Sequence, residues 1–266
     1  MICVKISRSD NPPRIWWCPT GPLTFLPLHA AGTYQSNEPG SQVWDFVTSS
    51  YTPTLTALLE TSHITTLDEF KLLAIAQPTA QGHNPIPNTT KELIQIRKQA
   101  ANLQVESLEG ADATVKRVMQ GMKESTWIHL ACHGTQNADT PTTSALILHD
   151  GRLELSQIVQ TPLPRADFAF LSACQTATGD KRLSDEAVHL AAGMLLVGYR
   201  GVIATTWSIK DDDAPFIADE VYSYLFKDQR PDRTKAAHAL HHAVQKLRRD
   251  KGLPFLSWVP FIHVGM

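Results

Sequence analysis

Two short apolar runs in this chain each stop at a reactive side chain. The first is Trp127-Ile128-His129-Leu130-Ala131-Cys132-His133-Gly134, and the second is Phe168-Ala169-Phe170-Leu171-Ser172-Ala173-Cys174-Gln175-Thr176. A thiol and an imidazole brought together make a nucleophile and its base. Thiolate attack on a carbonyl, with the imidazole moving the proton, is acyl-transfer chemistry. Taken singly, each residue has a plainer reading. A free cysteine is commonly buried packing, and His133 beside Gly134 could simply end a strand. The two together carry the chemical expectation, because both sit at the ends of like runs.

Such runs need particular elements around them. Each reads as a buried strand ending in a loop. Near-continuous apolar strands belong to a parallel sheet covered on both faces. In open sheets of that kind ligands bind past the carboxyl ends of the strands, where His133 and Cys174 fall. Further strands are predicted at 15–18, 71–76, 103–108 and 201–206. Ala145 to Leu155 reads as a hairpin turning at Asp150-Gly151. Helices are predicted over 52–62, 90–102 (capped by Thr90), 112–122 (capped by Asp112), 156–160, 185–198, 213–227 and 232–250. The aromatic residues Phe216, Tyr222, Tyr224 and Phe226 read as core contacts. Strands alternate with helices from residue 71 onward, which implies an α/β fold with a mostly parallel central sheet. No repeat or linker divides the chain.

Composition narrows the function. The 266 residues carry a formal net charge of −2 and are 42% hydrophobic. That balance gives no reason to expect nucleic acid or an anionic membrane as a partner. No apolar run approaches the roughly 20 residues of a membrane helix, and Met1 to Asp10 lacks the apolar centre of a signal peptide. Cys3, Cys18, Cys132 and Cys174 show no CxxC spacing, so a reducing, cytoplasmic setting is expected. His238 and His242 stand four apart on one helix and could share a metal. No cysteine or acidic ligand accompanies them, and surface histidine is the ordinary reading. There is no G-x-S-x-G and no P-loop.

The two motifs and the blocks around them resemble the CHAT family of caspase-like domains, relatives of caspases and separases. Leu130-Ala131-Cys132-His133-Gly134 looks like the family's histidine strand, and Leu171-Ser172-Ala173-Cys174-Gln175-Thr176-Ala177 like its cysteine motif. Histidine before cysteine is also the caspase order. Ala145-Leu146-Ile147-Leu148 with Gly151, Asp185-Glu186, and Gly201-Val202-Ile203-Ala204-Thr205-Thr206-Trp207 with Asp211 resemble successive blocks. Pro19-Thr20-Gly21-Pro22-Leu23 and Trp258-Val259-Pro260-Phe261 match near the two ends. Coverage runs over residues 14–266, leaving 1–13 as an N-terminal extension. Thr206-Trp207 replaces the more usual Leu-Trp.

The resemblance implies a caspase-like three-layer sandwich and a cysteine endopeptidase with a His133–Cys174 dyad acting on protein or peptide substrates. It implies no metal or organic cofactor. It also implies a frequent association with helical repeats of the TPR type, as a regulatory region or partner. The backbone N–H groups of Cys174 and Gly134 are the natural oxyanion donors if both lie in loops meeting at the site. No third triad member is assigned; Asp167 starts a strand remote from its carboxyl end. In separase-like relatives an acid in the last block receives arginine, and Asp211 is the matching position, with Asp213 the better cap for the helix that follows. The polar loop 176–184 carries Lys181-Arg182, a solvated basic pair or a self-processing site. The alternative function is a catalytically weak or silent signalling module that binds partner proteins.

Overall fold

The structure, a computed structural model, describes residues 12–34, 40–60, 69–135, 137, 139–175, 186–207, 209–251 and 254–266. The elements in order are β1 (Arg14–Trp17), β2 (Thr48–Tyr51), α1 (Leu55–Glu60), β3 (Leu72–Ala76), α2 (Asn88–Gln99), β4 (Val105–Glu109), α3 (Val115–Glu124) and β5 (Trp127–Thr135). The hairpin β6 (Ala145–Ile147) and β7 (Arg152–Glu154) follows, then α4 (Leu155–Val159), β8 (Phe168–Gln175), α5 (Glu186–Leu196) and β9 (Gly201–Thr205). The chain closes with α6 (Ala214–Leu225), α7 (Ala236–Lys251), α8 (Phe255–Trp258) and β10 (Phe261–Gly265).

The sheet runs β1-β2-β10-β9-β8-β5-β3-β4, with β6 and β7 extending from the upper part of β5. Strands β9, β8, β5, β3 and β4 run parallel to one another, β6 pairs antiparallel with the end of β5, and β10 turns antiparallel to β9 while running parallel to β2. The expected mostly parallel sheet is therefore present. Helices cover both faces. Alternation along β5 sends Trp127 into a core formed with α2, α6 and α7, and sends Ile128, Leu130 and Cys132 into a second core under α3, α4 and α5. These are the three layers of the sandwich. Burying both faces of the central strands is why they read as unbroken apolar runs.

Several predicted boundaries shift for local reasons. Thr90 lies inside α2 rather than capping it, its hydroxyl donating to Glu109 at 2.7 Å. Thr114, not Asp112, caps α3 by accepting from the Arg117 N–H. Strand β2 was not predicted. Its sequence Thr48-Ser49-Ser50-Tyr51 is polar, yet Thr48 and Ser50 are buried. Ser50 Oγ accepts from Arg14 Nε at 2.8 Å and contacts His263 Nδ1 at 3.1 Å. Phe216, Tyr222, Tyr224 and Phe226 do pack in the core. Residues 176–184, with Lys181 and Arg182, lie outside the described residues. Among those described, no helix is long and apolar enough to cross a membrane.

The edge of the sheet carries a pH-sensitive contact. His29 Nε2 donates to the Val259 carbonyl at 2.9 Å, and Tyr51 OH meets His29 Nδ1 at 2.7 Å. Burial pushes the His29 imidazole down to about 4, partly offset by the Val259 carbonyl. Its folded value thus lies below the roughly 6.5 of an unfolded histidine. Between these values the unfolded chain binds a proton that the folded chain does not. Stability present above pH 6.5 is then lost as pH falls toward 4, on the order of 2 kcal/mol allowing for partial exposure of the ring. Urea denaturation at pH 7 and pH 5 should show a larger acid loss in wild type than in His29→Gln; equal losses would contradict this.

Candidate active site

Strands β5 and β8 lie side by side in parallel, in register from Trp127 against Phe168 to Gly134 against Gln175. His133 is therefore the partner of Cys174. Adjacent strands stand about 4.8 Å apart. Period-two alternation places position 133 with 127, 129 and 131, and position 174 with 168, 170 and 172, all on the sheet face that carries α2 and α6. The side chain of Cys174 lies outside the described ones, so its placement here is that of its backbone. Cys132 falls on the opposite face, buried in the core, as an inert packing residue.

Both strands continue past His133 and Cys174. Gly134 was expected in a loop, but it lies within β5, paired with Leu146 of β6 on one side and Gln175 of β8 on the other. The hairpin β6–β7 supplies the strand that extends the ladder there. Its turn at Asp150-Gly151 is the one the sequence predicts.

The imidazole of His133 is held from the side. Its Nε2 lies 2.7 Å from the Asn84 carbonyl oxygen. A carbonyl only accepts, so Nε2 carries the hydrogen and donates. Among the described residues Nδ1 is buried without a hydrogen-bond partner, which leaves it as the basic nitrogen of the neutral ring. The ring of His83 stacks on His133, with centroids 4.9 Å apart and 24° between planes. Burial, then His133 and Arg152, lower the pKa of His83, so it stacks as a neutral ring. His83 and Asn84 belong to the β3–α2 loop, which composition identifies as a loop but which carries no signal of this role. A backbone carbonyl has no sequence signature at all.

A buried polar network lies one pleat below the pair. Glu92 of α2 accepts from Ser172 Oγ at 3.1 Å and faces His129 Nε2 at 3.2 Å. Tyr222 OH of α6 meets His129 Nδ1 at 3.3 Å. Glu92 and His129 are each 1% exposed, Ser172 2% and Tyr222 0%. Burial, aided by Glu92, pushes the Tyr222 hydroxyl well above its usual range, so it remains a donor. Ser172 precedes Cys174 by two residues and His129 precedes His133 by four. One carboxylate thus ties β5 and β8 to the helix above them.

Asp211 follows β9 at the same rim. Its Oδ2 accepts from the Asn88 N–H at 3.1 Å, and Asp212 Oδ1 accepts from Asn88 Nδ2 at 2.7 Å. Asp211 thus caps the first turn of α2 from a distance in sequence, and Asp212 holds the Asn88 side chain. Asp213 precedes α6 as expected but makes no side-chain cap bond, and among the described residues its buried Oδ2 has no partner. Asp167 is engaged far from the rim, in an ion pair with Arg233 at 2.6 Å and a bond from Trp127 Nε1 at 3.0 Å.

The CHAT domain model matches residues 4–266. This chain belongs to the CHAT family. Among curated proteins none matches the sequence. The solved structures that resemble this CHAT domain include gingipain R, described as an Arg-specific cysteine proteinase, at 14% identity and a TM-score of 0.54. They also include the Saccharomyces cerevisiae separase–securin complex, at 11% identity and a TM-score of 0.56. The CHAT domain aligns over 88% of its own length with gingipain R and 82% with separase, spanning 56% and 14% of those chains. At such identities the likeness is one of fold, a caspase-like three-layer sandwich.

Proposed function

We propose that this CHAT domain is a cysteine endopeptidase in which Cys174 is the nucleophile and His133 the proton carrier. The observation that carries the reading is the pairing of His133 with Cys174, combined with an imidazole whose Nε2 is fixed by Asn84 and whose Nδ1 has no partner among the described residues. Nδ1 takes the thiol proton, and the thiolate attacks the scissile carbonyl carbon. The backbone N–H of Cys174, whose strand is unpaired on its β9 side beyond Phe170 among the described residues, receives the oxyanion. On collapse the C–N bond breaks and Nδ1 returns the proton to the leaving amine, forming a thioester. Water, deprotonated by the same nitrogen, then hydrolyses it. The Asn84 carbonyl orients the ring and stabilises its positive charge between these steps. Cleavage of a random peptide library by wild type, lost in Cys174→Ala, is the expected result; fragments that persist in the variant would overturn it.

Cleavage after arginine or lysine belongs to the same proposal, with Asp211 as the receiving carboxylate. The Arg specificity named for gingipain R supports it. Asp211 also holds the Asn88 N–H, so Asp211→Ala should have two effects. Loss of the cap should cost about 1 kcal/mol. Loss of the carboxylate should lower kcat/KM for arginyl peptides roughly a hundredfold relative to others. A stability loss with unchanged preference would make Asp211 a cap alone.

A silent or weakly active module that binds partner proteins is the second reading. It is favoured by the complete burial of His133 beneath His83, which encloses the imidazole. Separase in complex with securin supplies a precedent for a protein partner, and a helical-repeat region or partner could fill that role here. Single-turnover acylation separates the two readings: a module of this kind forms no Cys174 adduct with any peptide ester.

A further inference from the structure

A polar groove opens beside His133 on the side away from Cys174. It lies between the β3–α2 loop and the β6–β7 turn, encloses about 410 Å³, and is lined by Gln81, His83, Ile147, His149, Asp150 and Arg152 among others. That volume is within the roughly 300–1,000 Å³ of ordinary ligand pockets. Two of its walls are continuous with the dyad. Ile147 is the ladder partner of His133, and the His83 ring stacks on the His133 ring.

We propose that this groove binds the part of a substrate that follows the scissile bond and selects an acidic side chain there through Arg152 and His83. The inference rests on the dyad reading and adds a specificity site to it. Its direction follows from strand order. Along the rim come β9 with Asp211, β8 with Cys174, β5 with His133, and then the β6–β7 hairpin and the β3–α2 loop. Cys174 takes the acyl carbon and His133 protonates the leaving amine. The leaving chain therefore runs from Cys174 across His133 into the groove. Extended peptide advances about 3.3–3.6 Å per residue. With His83 centred 4.9 Å from His133, the first or second residue past the bond reaches the groove.

The charge of the groove selects what arrives. Arg152 is exposed, and its Nη2 donates to the Thr143 carbonyl at 2.9 Å. Among the described residues no ion pair engages it. Asp150, the acid in the same wall, has Oδ1 turned to the Val115 N–H at 2.8 Å, where it serves the start of α3. A substrate carboxylate can take the guanidinium in a charge-assisted pair and a hydrogen bond from the neutral His83 ring. A lysine at the same place would meet Arg152 instead.

The test uses internally quenched peptides randomised on the acyl side, with Glu, Ala or Lys at the two positions after the scissile bond. Acyl-side randomisation keeps the result independent of Asp211. Wild type should cleave the glutamyl set at least about tenfold faster in kcat/KM than the lysyl set, a difference of roughly 1.4 kcal/mol. Arg152→Glu should invert that order and Arg152→Lys should keep it. Equal turnover of the three sets, or a preference unmoved by Arg152→Glu, overturns the groove assignment. A dye-amide pool with no residue beyond the bond reports the dyad alone. Its cleavage with flat preference in the quenched peptides leaves the dyad standing, whereas failure of every substrate removes both.

Discussion

Cys174→Ala should abolish peptide turnover, and His133→Ala should lower kcat/KM by about 10²–10⁴, the range of a positioned general acid–base group. The two variants should not be additive. Without the thiol there is no acyl-enzyme for the imidazole to assist, so the double variant should match Cys174→Ala. The Nδ1 assignment sharpens the expectation. His133→Gln can still donate to the Asn84 carbonyl but offers no basic nitrogen, so it should keep the fold and lose the rate. Turnover within threefold of wild type in either histidine variant would contradict the proposed role. Initial rates on a peptide pool, with melting temperatures measured alongside, decide this.

Glu92→Ala should be the most destabilising single change near the site. The carboxylate is 1% exposed and serves Ser172 and His129, neither of which can reach water. Its removal leaves a hydroxyl and a ring nitrogen buried without an acceptor, at about 1–3 kcal/mol each, and opens a cavity. A loss of about 3–5 kcal/mol is expected, in the range measured for broken buried pairs. At about 2–4 °C per kcal/mol for a domain of this size, the melting temperature should fall by roughly 10 °C. Glu92→Gln retains an acceptor for Ser172 and should lose about half as much. A fall below about 1 kcal/mol in urea denaturation of Glu92→Ala would mean that the network contributes little.

The legible parts of the fold were those whose burial is apolar. Strands β3, β5, β8 and β9 are covered on both faces, so their sequences announce them. The Asp150-Gly151 turn announces the hairpin by its own chemistry. Strand β2 stayed hidden because it buries hydroxyls, which serve Arg14 and His263 rather than a hydrophobic core. Glu92 was hidden for the same reason: within α2 it reads as a surface charge, and only the partners above β5 and β8 explain its burial. The start of α2 was misplaced because its cap is not local. Asp211 reaches it from beyond β9, while the run Asn88-Thr89-Thr90 offers three capping types with nothing in the sequence to choose between them. At the site, the pairing of the two strand ends that carry His133 and Cys174 was legible from residue type and strand position. The Asn84 carbonyl was not, since every residue carries one and only the fold aims it.

The most direct measurement is the reactivity of Cys174 itself. The intact protein, treated briefly with a limiting amount of a peptidyl acyloxymethyl ketone bearing arginine, can be digested and each cysteine quantified by mass spectrometry. Cys18 is exposed and free, and Cys132 is buried, so the protein carries its own standards for an accessible and an inaccessible thiol. A dyad predicts that Cys174 is modified many times faster than Cys18 and that His133→Ala removes most of that advantage. Labelling of Cys174 no faster than Cys18, or unchanged in His133→Ala, would contradict the assignment of His133 and Cys174 as a catalytic pair.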